Sequence, residues 1–255
     1  VVLYLNKNKM KIIDKYIDDS NVVAIFPFGS HVYGTATPES DEDYIIVAKQ
    51  WFDSNDINIH VYTIEQYDIA LKRCDIQILE CAFCPIILKL NTSLVTVYDK
   101  YLDIDKNNLR KSISTITSNS WVKGKKKLLV SGDYDVNLAI KSIFHSLRIL
   151  DYGIQIASSN NIQDWSSMNY VLADLKKLAE QFQHDDLWNA IDTKYRKVFN
   201  EKSTLFKQLA PKDLSEKDNK TQLIKILKDY AIVKDNFNDE DYDAMINEIL
   251  NLFNK

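Results

Sequence analysis

Phe28-Gly29-Ser30-His31-Val32-Tyr33-Gly34-Thr35-Ala36-Thr37-Pro38-Glu39-Ser40-Asp41-Glu42-Asp43 is the stretch whose reading decides the fold. It begins where an apolar run ends. Val22 to Phe28 (VVAIFPF) is rich in β-branched and aromatic residues and predicts a buried strand. Gly29 follows directly, and a residue without a side chain lets a ligand approach the backbone closely. Ser30 sets a hydroxyl beside it. A turn-rich segment runs through Gly34, Thr35, Thr37, Pro38 and Ser40. Ten residues separate Ser30 from Asp41, and Asp43 opens a second apolar run, DYIIVA, over 43–48. Carboxylates two apart on a strand point to one face. They repel each other unless a cation sits between them. Such oxygen donors suit Mg²⁺, which binds one or two carboxylates together with substrate phosphates. Either half of the motif alone is commonplace, since a D-x-D pair is usually a solvated strand end. Together they predict a phosphate-facing Gly-Ser turn opposite a metal-binding carboxylate pair.

Working outward, residues 10–19 predict a helix with Ile12, Ile13, Tyr16 and Ile17 on one face. Asp56 to Tyr62 (DINIHVY) alternates polar and apolar residues and predicts a strand with one wet face, carrying Asp56, Asn58 and His60. Ile64 to Arg73 predicts a helix, and Ile76 to Phe83 fits either a helix or a strand. From about residue 105 the apolar spacing is helical, clearest over Leu138–Ile149 and Val171–Phe182. The polar stretch 213–222 reads as a linker, with two short helices expected over 223–233 and 242–253. The expectation is an α+β protein. A small mixed β-sheet with helices on one side spans 1–104. A helical domain over 105–212 closes a cleft against it, and a helical extension spans 213–255.

Composition narrows the function classes. The 255 residues are 45% hydrophobic and 27% charged, the balance of an ordinary globular protein. Five glycines and four prolines exclude collagen-like and low-complexity readings. Three cysteines do not make a disulfide framework, so an intracellular, cytoplasmic setting is expected. No stretch approaches the ~18 consecutive apolar residues of a membrane span. The start, Val1 to Lys7, lacks the basic leader and small-residue cleavage site of a signal peptide. A net charge of −4 argues against binding nucleic acid through bulk charge, which leaves local basic patches.

The pattern of Gly29-Ser30, ten residues, then Asp41-x-Asp43 resembles the DNA polymerase beta-like nucleotidyltransferase superfamily. The longer string GSHVYGTATPESDEDY is similar to predicted nucleotidyltransferases often encoded by phages and bacteria. Ile76 to Cys81, Trp121 to Lys127, Lys141 to Arg148 and Leu209 to Lys212 extend the resemblance over about residues 20–212. A composition rich in Lys, Ile, Asn and Asp fits a phage or a low-GC host. The resemblance implies a polymerase beta-like palm and a two-metal transfer of a nucleoside monophosphate from a triphosphate to an acceptor hydroxyl. Asp41 and Asp43 would hold Mg²⁺ or Mn²⁺, and Gly29 and Ser30 the β- and γ-phosphates. The superfamily's third carboxylate is assigned to Asp56, the only acid on its strand face, although some relatives place it where Asn58 stands. Within the superfamily RNA 3′ ends, tRNA, protein hydroxyls and small molecules all serve as acceptors, and an RNA or tRNA 3′ end is the one expected here. A protein hydroxyl, as in AMPylating antitoxin-type members, is the alternative, and a non-catalytic nucleotide-binding module is a third reading.

Further candidates lie in the helical part. Lys123, Lys125, Lys126 and Lys127 cluster beside Trp121, either as a grip on phosphate or acceptor, with Lys126 chosen for nucleotide, or as a solvated helix face. Lys141, His145 and Arg148, four and three apart, share one helix face, either as plain surface residues or, as the resemblance implies, as contacts to the nucleotide. His31 either contacts phosphate or lies free in its loop, and Tyr33 either stacks on a base or packs. Cys81 and Cys84 form a lone C-x-x-C without a second pair, so buried thiols are expected rather than zinc. Glu80 is read as a satisfied structural acid. Walker A, GxGxxG, HExxH and GxSxG patterns are absent from the sequence.

Overall fold

The computed structural model describes residues 11–95 and 104–212, with Lys11 and Ile12 as backbone only. The linker and terminal helices expected beyond residue 212, and the chain start before residue 11, lie outside the described residues. The described residues form part of one compact unit that ends at Lys212.

Four strands make one mixed sheet: β1 (Val22–Phe28), β2 (Asp43–Ala48), β3 (Ile59–Thr63) and the short β4 (Lys89–Leu90). Their order is β3-β2-β1-β4. β1 pairs antiparallel with β2 and with β4, whereas β2 and β3 run parallel. The register sets Phe28 opposite Asp43 and Ile45 opposite His60. One sheet face carries Ala24, Phe26, Ile45 and Val47 into the main core. The other carries Ile25, Tyr44, Ile46 and Ile59. Both faces are therefore covered, which explains why β1 reads as an unbroken apolar run.

The second face is covered by α1 (Lys11–Ile17) through Ile13 and Tyr16. Helices thus lie on both sides of the sheet, where the sequence reading expected one. The first face is covered by α3 (Ile64–Lys72) and α4 (Ile76–Phe83), which bury Tyr67, Leu71, Ile78, Leu79 and Cys81. A capping box at Thr63 starts α3: its hydroxyl accepts from the Gln66 N–H, and the Gln66 side chain accepts from the Thr63 N–H. The ambiguous stretch 76–83 is helical because Asp75 caps it and apolar residues surround it on every side.

The helical part consists of α5 (Lys106–Leu129), α6 (Val136–Ser159), α7 (Asn169–Gln181) and α8 (His184–Leu209). Asp105 and Asp135 cap α5 and α6, so α6 begins at Val136, two residues before the stretch from Leu138 where the helical spacing is clearest. Gly124 explains the single glycine inside the lysine cluster. A Cβ there would lie 2.5 Å from Ile143 Cγ1 and 3.1 Å from the Ala139 carbonyl, so α5 and α6 cross too closely for any side chain. The upper helices share a core of Trp121, Leu128, Ile143, Leu147, Val171, Leu175, Trp188 and Ile191. The lower half of α6, with Ile149, Leu150, Tyr152 and Ile156, joins the core under the sheet. Helix α6 therefore belongs to both cores and fixes the helical wall against the sheet.

Candidate active site

The motif loop leaves β1 at Gly29, whose φ of 81° and ψ of −157° belong to a backbone region open almost only to glycine. A Cβ on Gly29 would lie 2.3 Å from Asp43 Oδ2. The glycine is thus required twice, by its own backbone and by the carboxylate seated against it. The chain then turns through α2 (Ser30–Tyr33), a single helical turn inside the segment read as irregular, and leaves it at Gly34 in the left-handed region. The side chains of Thr37 and Ser40 bond within the following turn, where Ser40 Oγ accepts from the Thr37 N–H at 2.8 Å. That turn returns the chain to β2, bringing Asp41 and Asp43 back beside Gly29 and Ser30.

Burial and then the neighbouring Asp41 carboxylate hold the Asp43 carboxyl above its ordinary pKa, while His60 and His31 pull it down. Two like charges therefore face each other at the sheet's rim, the arrangement a divalent cation relieves. The donor set fits one Mg²⁺ bound through two carboxylates and completed by substrate phosphates. Among the described residues no three of His, Cys, Asp and Glu come together as a metal-holding group.

These residues open onto one cavity of about 620 Å³, within the range of small-molecule pockets. Its sheet-side rim is Ser30, Thr35, Thr37, Glu39, Ser40, Asp41 and Asp43. Its other wall is a stripe of α6 at helical spacing, Asn137, Ile140, Lys141, Phe144, His145 and Arg148, extended by Leu172 and Lys176 of α7. The cavity thus has an acidic, hydroxyl-rich rim and a wall combining apolar surface with lysines.

Beneath the cavity lies a buried polar cluster. Arg148 is 1% exposed and Glu80 3%. Arg148 Nη1 donates to Glu80 Oε1 at 2.7 Å, and the Tyr33 hydroxyl donates to Glu80 Oε2 at 2.6 Å. The guanidinium lies 3.5 Å from the Tyr33 ring centre and 4.8 Å from that of Tyr152. Burial, above all, raises the Tyr33 pKa, so its hydroxyl stays a donor. The amide of Asn169 donates to the Tyr33 carbonyl at 2.8 Å. One aromatic residue of the motif loop is therefore tied to α4, α6 and α7 together.

The sequence-derived residues fall into three places. Ser30, Asp41, Asp43, Lys141, His145 and Arg148 line the one cavity, and Gly29 abuts Asp43 beside it. Lys126 lines a separate groove of about 330 Å³ with Asn119, Val122, Lys123, Lys127 and Asp133. Lys127 is paired there with Asp133. Asp56 lies outside both. The strand predicted from Asp56 starts instead at Ile59, because Ser54 builds a turn first: its hydroxyl donates to the Asp56 and Ile59 carbonyls. The Asp56 carboxylate accepts from the Asn58 N–H at 2.9 Å in that turn. The register puts His60 on the Asp43 face of the sheet, its ring 5.6 Å from that of Phe28.

Tyr33 packs, with its hydroxyl on Glu80 and its ring against Arg148, and Glu80 is a satisfied acid as read. His31 Nε2 lies 3.4 Å from the Ser40 carbonyl. All three cysteines are buried free thiols, and burial pushes Cys84 up to about 11 and Cys74 up to about 12. Asn137 and Lys176 went unnoticed in the sequence. Asn137 extends the Lys141–His145 stripe back by one turn, which the spacing alone could have shown. Lys176 arrives from another helix, so only the packing of α7 on α6 reveals it.

No curated protein matches the chain. Residues 9–105 match the family model of the nucleotidyltransferase domain. That span contains the whole sheet, the Gly29–Ser30 turn and the Asp41–Asp43 pair. This part of the chain is therefore a nucleotidyltransferase domain of the polymerase beta-like superfamily, which supports transfer of a nucleoside monophosphate as its class of reaction.

Proposed function

We propose that the cavity binds a nucleoside triphosphate with Mg²⁺ and transfers its nucleoside monophosphate to the 3′ hydroxyl of an RNA, releasing pyrophosphate. The observation that carries this reading is the seating of Gly29 against Asp43 at the mouth of a cavity shared with Ser30, Asp41 and Lys141. Mg²⁺ or Mn²⁺ would be held by Asp41 and Asp43, where it offsets the charge of the phosphates and promotes attack by the acceptor hydroxyl. Lys141 and Lys176 supply positive charge on the facing wall. Positioning and charge stabilisation dominate such a reaction, and a preformed cavity between sheet and helices provides both.

An RNA acceptor is supported by the basic groove of α5. Lys123 and Lys126 are exposed there, and Lys123 is near enough to the cavity to depress the pKa of His145. A short strand end can be held by such a local patch despite the negative net charge. The cellular setting that goes with this reading is the cytoplasm, including that of a phage-infected host. No helix among the described residues is long and apolar enough to cross a membrane.

The test incubates the purified protein with Mg²⁺ and each ribonucleoside triphosphate, labelled at the α-phosphate, in a cell extract. Label on RNA that disappears in Asp43→Asn is the expected result. Label on protein bands would replace the RNA reading with the AMPylating one. Saturable triphosphate binding without transfer would leave a nucleotide-binding module. The two-ion form of the reaction needs a third acid at the rim, so Asp56→Asn should cut turnover about a hundredfold if Asp56 swings into that role. An unchanged rate would confine the protein's metal donors to Asp41 and Asp43.

A further inference from the structure

We propose that His145 determines how the nucleoside moiety sits in the cavity. It would act as a neutral imidazole, locked by Arg148 as the Nε2–H tautomer, donating a hydrogen bond to the base or sugar of the bound triphosphate. The inference rests on the nucleotide-binding reading of the cavity and assigns one specific contact within it.

The tautomer follows from the partner. Arg148 Nη2 lies 3.0 Å from His145 Nδ1. A guanidinium has donors and no acceptor, so Nδ1 must accept and the ring proton resides on Nε2. Arg148 cannot turn away to release it. Its Nη1 is held by Glu80, its plane is packed on Tyr33 and Tyr152, and it is 1% exposed. A second ring proton has no place at Nδ1. Burial, then Arg148, then Lys123 oppose a charge on the ring and bring the pKa down to about 3. His145 is therefore a donor of fixed direction and no charge.

The chemistry of its surroundings selects the part of the ligand. His145 lines the cavity next to Phe144, with Ile140 and Leu172 in the same wall. Phosphate oxygens call for cations, and the wall supplies Lys141 and Lys176 for that purpose. An uncharged donor within apolar surface suits an uncharged acceptor, such as a ring nitrogen, a carbonyl oxygen or a sugar oxygen. Pockets for small ligands commonly fix orientation with a few such polar groups in an apolar lining.

The experiment is imidazole ¹⁵N NMR of the whole protein, whose four histidines are His31, His60, His145 and His184. Signals of His145 are assigned by their loss in His145→Gln. In the free protein His145 should show the Nε2–H tautomer and no titration across neutral pH. At least one ribonucleoside triphosphate should shift that Nε2–H, whereas inorganic tripolyphosphate should not. That triphosphate should bind His145→Phe about three- to tenfold more weakly, one neutral hydrogen bond being lost, and His145→Gln should recover part of the difference. A Nδ1–H or doubly protonated ring at neutral pH would overturn the proposal. So would equal shifts with tripolyphosphate. His31 and His60, both near enough to Asp43 to affect its charge, report the cavity independently. If they respond to nucleotide while His145 is silent, the inference alone fails. If no histidine responds to any nucleotide, the nucleotide reading fails and the inference falls with it.

Discussion

Two charged pairs flank the same cavity and are built in opposite ways. Glu80 and Arg148 carry opposite charges, are almost wholly buried and complete each other at 2.7 Å with Tyr33 as a third partner. Asp41 and Asp43 carry like charges at the rim, and burial together with the Asp41 charge makes ionisation of Asp43 harder. The first pair is finished by the fold. The second has no ion pair among the described residues, and on the proposed reading a bound cation completes it. The contrast separates the part of the site that holds the structure from the part proposed to take a ligand, and the substitutions below act on one side of it or, for Lys126, outside it.

The largest expected effect falls on the like-charged pair. On the proposed reading, Asp43→Asn should lower transfer at least about a hundredfold, measured as pyrophosphate release, because one of the two charges proposed to hold the metal is lost. Without metal the same variant should be the more stable one, by on the order of 2 °C in melting temperature. The sign follows from the raised pKa of Asp43. A carboxyl that the fold prefers protonated favours stability below its ordinary value of 3.8, and that contribution is lost as pH rises through the raised value. The metal-free stability gap between Asp43→Asn and wild type should therefore widen in the variant's favour as pH rises across that window, the slope from His145 being common to both. A parallel loss of stability and activity in the variant would contradict the contrast.

Gly29→Ala comes next. Its Cβ would displace the Asp43 carboxylate and its backbone would be strained, so transfer should fall at least about tenfold through weakened metal dependence. Metal titration of the residual activity checks this.

On the opposite side, Glu80→Gln should act mainly on stability. Removing one charge of a buried pair leaves the other uncompensated, at a cost of about 3 kcal/mol by urea unfolding. Transfer per folded molecule should fall far less than in Asp43→Asn. The smallest effect is expected for Lys126→Ala, which should weaken RNA binding by a few-fold at low salt and hardly at all at high salt. It should leave stability unchanged.

The same contrast separates what was legible in the sequence. The motif loop, β1 and β2 were readable because their information is contiguous: an apolar run, a glycine and two acids at fixed spacing. The stripe on α6 was half readable, since helical spacing predicted that Lys141, His145 and Arg148 share a face. That Arg148 is buried and His145 neutral depends on Glu80, which is 68 residues away in sequence. The strand expected from Asp56 failed for a local reason. Ser54 satisfies the carbonyls that the alternating pattern assigned to a sheet, and so it delays β3 to Ile59. Alternation in DINIHVY signals an extended segment but is silent on competing side-chain hydrogen bonds. The second helical layer over the sheet was hidden for a similar reason, because β1 reads as apolar throughout whichever element covers it.

The most direct test of the unfinished pair is a titration of the protein with Mn²⁺ in the presence of a triphosphate that cannot be cleaved between its α- and β-phosphates, read by Mn²⁺ paramagnetic resonance. Wild type should take up Mn²⁺ together with the nucleotide, and Asp43→Asn should bind it at least about tenfold more weakly while Glu80→Gln retains it. Equal Mn²⁺ binding by wild type and Asp43→Asn would contradict the account.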